Sequence, residues 1–64
     1  MRVMVITSWY EADHGKAPRG VGYWQFSNHF HDMMWTFFGS YGDCKARAVQ
    51  SAKAENFSTI YVLA

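Results

Sequence analysis

The sequence predicts an α+β domain in which one helix packs on a mixed, mostly antiparallel four-stranded sheet, in the chain order β-β-β-α-β. Three observations carry this expectation. Short runs of β-branched and aromatic residues recur along the chain. One segment sets small apolar residues four apart behind a capping signal. Sixty-four residues suffice for one domain, residues 1–64, close to the size below which a chain needs disulfides or metal to hold itself together.

The first strand spans Met1 to about Trp9. Val3-Met4-Val5-Ile6 is apolar on both faces, a pattern that suits the middle of a sheet. From Tyr10 to Gly22 the chain reads as an exposed loop, because Gly, Pro and alternating charge interrupt any periodicity. Loops of that length in small domains are usually functional or mobile. Tyr23 to Ser27 and Met33 to Phe38 read as a hairpin of two strands, joined by a turn from Ser27 to Asp32 whose Asn and Asp can bond to the local backbone. Alternation sends Trp24 and Phe26 to one face and Tyr23 and Gln25 to the other. In the next strand Trp35 and Phe37 oppose Met34, Thr36 and Phe38.

The helix is the best-marked element. Ser40-Tyr41-Gly42-Asp43 fits a capping box, in which the Ser40 hydroxyl accepts from the Asp43 amide and the Asp43 carboxylate reaches back. Cys44, Ala48 and Ala52, with Val49 beside them, form a narrow small-residue face that lets the helix axis come close to a sheet. Asn56 suits the left-handed position that ends a helix, and Phe57 can fold back on Ala52. Ser58 to Leu63 closes the domain as a strand, with Ile60 and Val62 on one face and Thr59, Tyr61 and Leu63 on the other. The helix returns the chain, so the fourth strand should run parallel to the third. The first strand is a candidate neighbour of the fourth.

Composition narrows the function. Half the residues are hydrophobic and 19% are aromatic, yet mean hydropathy is −0.21, so the apolar content is concentrated in large rings. A helix of about fourteen residues is roughly 21 Å long and 10 Å wide, and it can shield only one sheet face. Several of the aromatic residues, with Met33 or Met34, should therefore lie on the other. Either the long loop folds under that face and the rings pack into a thin second layer, or a second copy or another macromolecule covers it.

The charge of +1 lacks the concentrated basic face of a dedicated nucleic-acid binder. Lys45, Arg47 and Lys53 give the helix a modest basic stripe, read first as a solvated face. A single cysteine, Cys44, implies no internal disulfide and suits a reducing compartment such as the cytoplasm. The opening stretch is too short for a signal peptide, and no eighteen apolar residues occur in a row, so no membrane association is expected.

Chemistry-bearing residues are few. His29 and His31, with Asp32, and His14 near Asp13 and Glu11, fall short of a tetrahedral metal set and read as exposed histidines. Cys44 sits in the first helical turn beside Lys45, where a thiol can be activated, but its spacing with Ala48 and Ala52 reads as burial. Gly15-Lys16-Ala17-Pro18-Arg19-Gly20 lacks the Gly-Lys-Ser/Thr ending of a phosphate loop. No cofactor, metal or catalytic residue is expected.

Two resemblances bear on function. Arg19-Gly20-Val21, Trp35-Thr36-Phe37-Phe38-Gly39-Ser40-Tyr41 and the alanine-rich Ala46 to Ala54 are similar in outline to small sheet-plus-helix DNA-reading domains of plant transcription factors and of the integrase arm-binding type. Those families read DNA with Arg and Lys on the sheet. Here the strands carry aromatics and only Arg2, and the function does not carry over.

The second resemblance is of kind: a one-helix chain with abundant exposed aromatics and no cofactor signal looks like the small phage-encoded inhibitors that dock on host CRISPR effector complexes or RNA polymerase. It implies a non-enzymatic protein-binding module, an anti-CRISPR-like inhibitor in the host cytoplasm. The expected contacts are Trp9, Tyr10, Tyr23, Trp35 and Phe38, with Lys16 and Arg19 from the loop. A homodimer through the open sheet face is a further expectation. The alternative is a sheet-based nucleic-acid binder in which rings stack on bases and Lys45, Arg47 and Lys53 meet phosphates.

Overall fold

Residues 2–28 and 32–63 are described by the computed structural model, and they form six elements. These are β1 (Met4–Ile6), α1 (Ser8–His14), β2 (Val21–Asn28), β3 (Met34–Ser40), α2 (Tyr41–Ala54) and β4 (Thr59–Leu63). The four strands make one mixed sheet in the order β1-β4-β2-β3. β2 is antiparallel to both β3 and β4, while β1 is parallel to β4. The α+β class and the pairing of first with fourth strand agree with the sequence. β3 and β4 run the same way, as a helical return requires, but β2 lies between them.

Four expectations are corrected. The segment expected to be all loop contains α1, so the chain runs β-α-β-β-α-β. No side chain caps α1 at Thr7, and Gly15 closes it in the left-handed conformation at φ 71°, its N–H donating to the Glu11 carbonyl. Seven residues without a cap make a poor helix in isolation, and α1 is held by packing, chiefly through Tyr10. β1 is accordingly cut to three residues. It lies at the edge of the sheet and not in its middle. Its apolar pattern has another cause: Val5 lies opposite Ile60 and packs on the core, while Met4 points to the other side and is exposed. Tyr10, expected at a contact surface, is buried.

α2 forms as its sequence dictates. The Asp43 amide donates to Ser40 Oγ at 3.2 Å. Asn56 adopts φ 62°, and the Phe57 and Asn56 amides donate to the Ala52 and Lys53 carbonyls at 2.8 and 3.1 Å. That pair of bonds is the Schellman closure. Cys44, Ala48 and Ala52 are buried against Trp24, Phe26, Ile60 and Val62, with Val5, Trp35, Phe37, Tyr41 and Phe57 around them. Small side chains on the helix and large ones on the sheet let the two layers approach closely.

Trp24 joins the helices to the sheet. Its ring lies 5.3 Å from Tyr10 of α1 and 5.0 Å from Tyr41 of α2, and its indole N–H donates to the Gly20 carbonyl at 3.2 Å. The Tyr41 amide donates to the same carbonyl at 2.9 Å. All the described core residues thus occupy one side of the sheet.

Candidate interaction face

The other side is fixed by strand parity. With Trp24, Phe26, Ile60 and Val62 turned to α2, the period of two sends the alternate residues the opposite way. They are Met4 and Ile6 of β1, Thr59, Tyr61 and Leu63 of β4, Val21, Tyr23, Gln25 and Ser27 of β2, and Met34, Thr36 and Phe38 of β3. The cross-strand pairs Met4 with Thr59, Ile6 with Tyr61, Ser27 with Tyr61, Ser27 with Met34 and Tyr23 with Phe38 set these residues side by side. No charged residue is among them.

α1 covers only one margin of this face. Its neighbouring residues Trp9 and Tyr10 diverge around β4: Tyr10 enters the core, whereas Trp9 stacks on Tyr61 with ring centroids 4.8 Å apart. Toward β2 and β3 the face is exposed at Val21, Tyr23, Met34 and Phe38, whereas Ser27 of β2 is buried. There Tyr23 and Phe38 meet edge to face at 4.9 Å, and the Gln25 amide donates to Met34 Sδ at 3.7 Å. Six large hydrophobic side chains among the described residues are exposed, namely Met4, Trp9, Val21, Tyr23, Met34 and Phe38, at 48% to 79%. Every one of them lies on this face or borders it.

The expected contact residues divide accordingly. Trp9, Tyr23 and Phe38 belong to the open face. Trp35 does not, because it lies on the α2 side against Phe57, ring centroids 6.1 Å apart. Tyr10 stacks on His14 at 4.1 Å and packs on Trp24. Lys16 and Arg19 are exposed in the segment between α1 and β2, at the end of the sheet where Val21 pairs with Ser40. Met4 and Val21 were missed by sequence reasoning. Val21 fell inside the expected loop, although its two-residue spacing from Tyr23 signals the same face. Met4 was hidden by the reading of β1 as buried on both sides.

Other candidate chemistry is sparse. Cys44 is a buried free thiol whose Sγ would lie 3.7 Å from a Cβ added at Gly39. Among the described residues no group of three or more His, Cys, Asp or Glu could hold a metal ion. His29 and His31 lie outside the described residues. A cleft of about 540 Å³ at the start of β1 and β4 is lined by Arg2, Val3, Met4, Ser58 and Thr59, and Arg2 is its one ionisable side chain. Lys45, Arg47 and Lys53 are exposed on α2, across the sheet from the exposed rings. Among the described residues no helix is long and apolar enough to cross a membrane. No protein-family model, no curated protein and no solved structure matches the chain.

Proposed function

We propose that this chain is a non-enzymatic protein-binding module whose working surface is the open sheet face. One observation carries the reading: the six large exposed apolar side chains gather on or beside a single face whose strand residues carry no charge. Soluble monomers rarely keep a contiguous apolar patch above a few hundred Å² unless something binds there. Trp, Tyr, Phe and Met are the residues enriched at the centre of protein interfaces. In its narrower form the module is an inhibitor of the phage type that occupies a surface of a host complex. That form rests on the resemblance of kind alone. The nucleic-acid alternative would bring stacking rings and phosphate-binding cations to one surface, whereas α2 carries its cations on the far side of the sheet.

The test compares capture by the wild type, by Phe38→Lys and by Lys45→Glu as a control on α2. A protein partner should be retained by the wild type and the α2 variant and lost at least tenfold with Phe38→Lys. Its retention should change little between low and moderate salt, whereas a nucleic-acid complex weakens steeply. A partner held equally by all three, or one released by salt alone, would overturn the reading.

A further inference from the structure

We infer that the occupant of the open face is a second copy of this chain, with two sheets packed face to face about a two-fold axis. The inference rests on the reading of this face as protein-binding, and it sets the second copy against a host protein as occupant.

Area is the first argument. Taking about 150–250 Å² for a fully exposed aromatic side chain, Trp9, Tyr23 and Phe38 present roughly 400 Å² between them. Met4, Val21 and Met34, with half-buried Ile6 and Leu63 between, bring the apolar surface to the order of 700 Å², near the roughly 800 Å² per partner of a standard interface.

Charge is the second. A two-fold interface sets a patch against itself, so a charged residue there tends to meet its own kind. The strand residues of the face include Gln25, Thr36, Thr59 and the buried Ser27 as polar groups and no charge, the composition expected of homodimer cores, and Arg2 stands at its rim beside Met4 and Thr59. Transient partners are usually steered by complementary charge, and the strands of this face offer none, Arg2 lying at the rim. A second copy needs no steering, because it is made at the same place and concentration.

The third argument is the thinness of the core. α2 contributes only Cys44, Ala48 and Ala52 as fully buried residues, and a domain of this size buries little in total. Aligned sheets pack about 10 Å apart through interdigitated side chains. Two copies would form a helix–sheet–sheet–helix sandwich with a second core made from Tyr23, Phe38, Met34 and Leu63 of each.

Sedimentation velocity and thermal melts from micromolar to hundreds of micromolar chain test this. The expected mass is twice the 7.4 kDa of the chain, with a melting temperature that rises with concentration. The double variant Tyr23→Lys/Phe38→Lys should sediment as a monomer while keeping the far-UV circular dichroism of the wild type, and Lys45→Glu should remain dimeric. If the double variant loses its secondary structure, the concentration dependence of the wild-type melt decides. A wild-type monomer with a concentration-independent melt overturns the inference. If that monomer binds bis-ANS and the double variant does not, the face is adhesive and the protein-binding reading survives. If neither binds the dye, both fall. A dimer that persists in a folded double variant would also overturn the inference, placing the contact elsewhere, such as the outer edge of β3.

Discussion

Asn28 ties the end of β2 to Asp32 and Met33, the residues just before β3. Its side chain is 1% exposed. Its Oδ1 accepts from the amides of Asp32 and Met33 at 3.1 and 3.4 Å, and its Nδ2 donates to the Asp32 carboxylate. Its partners are less enclosed, Asp32 being exposed and Met33 half-buried, so removing the amide costs the net worth of its bonds, about 0.5–1.5 kcal/mol. Asn28→Ala should therefore lower the unfolding free energy obtained from urea titration by that amount while leaving the helical dichroism intact. A loss below about 0.5 kcal/mol would show that the connection is held by something else. Both Asn28 and Asp32 were expected to bond to the local backbone; Asn28 does so at the Asp32 and Met33 amides, whereas the Asp32 carboxylate accepts from the Asn28 side chain. Which of them would be buried was not legible in the sequence, because that depends on β2 being flanked on both sides by other strands.

At the scale of elements, legibility follows the origin of each element's stability. α2 carries its own signals: Ser40 at the cap, small residues every four, Asn56 at the end. All three sit where the sequence put them, because capping and left-handed closure are local physics. α1 carries almost none. Its helical state comes from Tyr10 wedged against Trp24 and from Trp9 laid on Tyr61, contacts between residues far apart in the chain. Its local clues were slight: Gly15, suited to a left-handed helix end, and Glu11 three residues after Ser8, whose carboxylate accepts from the Thr7 hydroxyl.

The junction between β3 and α2 is tied down by Tyr41, whose amide holds the Gly20 carbonyl and whose ring packs on Trp24. Burial raises the pKa of its phenol above the ordinary value. The folded state thus keeps a proton that the unfolded chain releases near pH 10. The stability linked to this proton is complete below that pH and is lost as pH rises through the folded value. Urea midpoints measured from pH 8 to 11 should fall above about pH 10, and Tyr41→Phe should flatten the decline. An unchanged slope in the variant would assign the decline to other groups.

For the whole molecule, the sheet has one closed side and one open side, and the alternation in β2, β3 and β4 announced both. What alternation could not announce was where the segment after β1 would go. That segment forms α1 at one margin, so the open side stays open over Tyr23, Met34 and Phe38. Stability within one chain must then come mainly from the closed side, and Phe26 is its centre. Phe26 is fully buried, pairs across β2 with Trp35 and Val62, and stacks toward Tyr41 with ring centroids 6.4 Å apart. Truncating a buried Phe to Ala costs about 3–5 kcal/mol, comparable to the whole stability of a chain this small at roughly 0.05–0.15 kcal/mol per residue. Phe26→Ala should therefore be largely unfolded without denaturant by circular dichroism. Phe26→Leu, which leaves a smaller void, should fold with a lowered midpoint. A native spectrum for Phe26→Ala would mean that much of the stability lies outside the α2–sheet layer. Among the described residues the other large apolar surface is the open face, which can supply it only when covered.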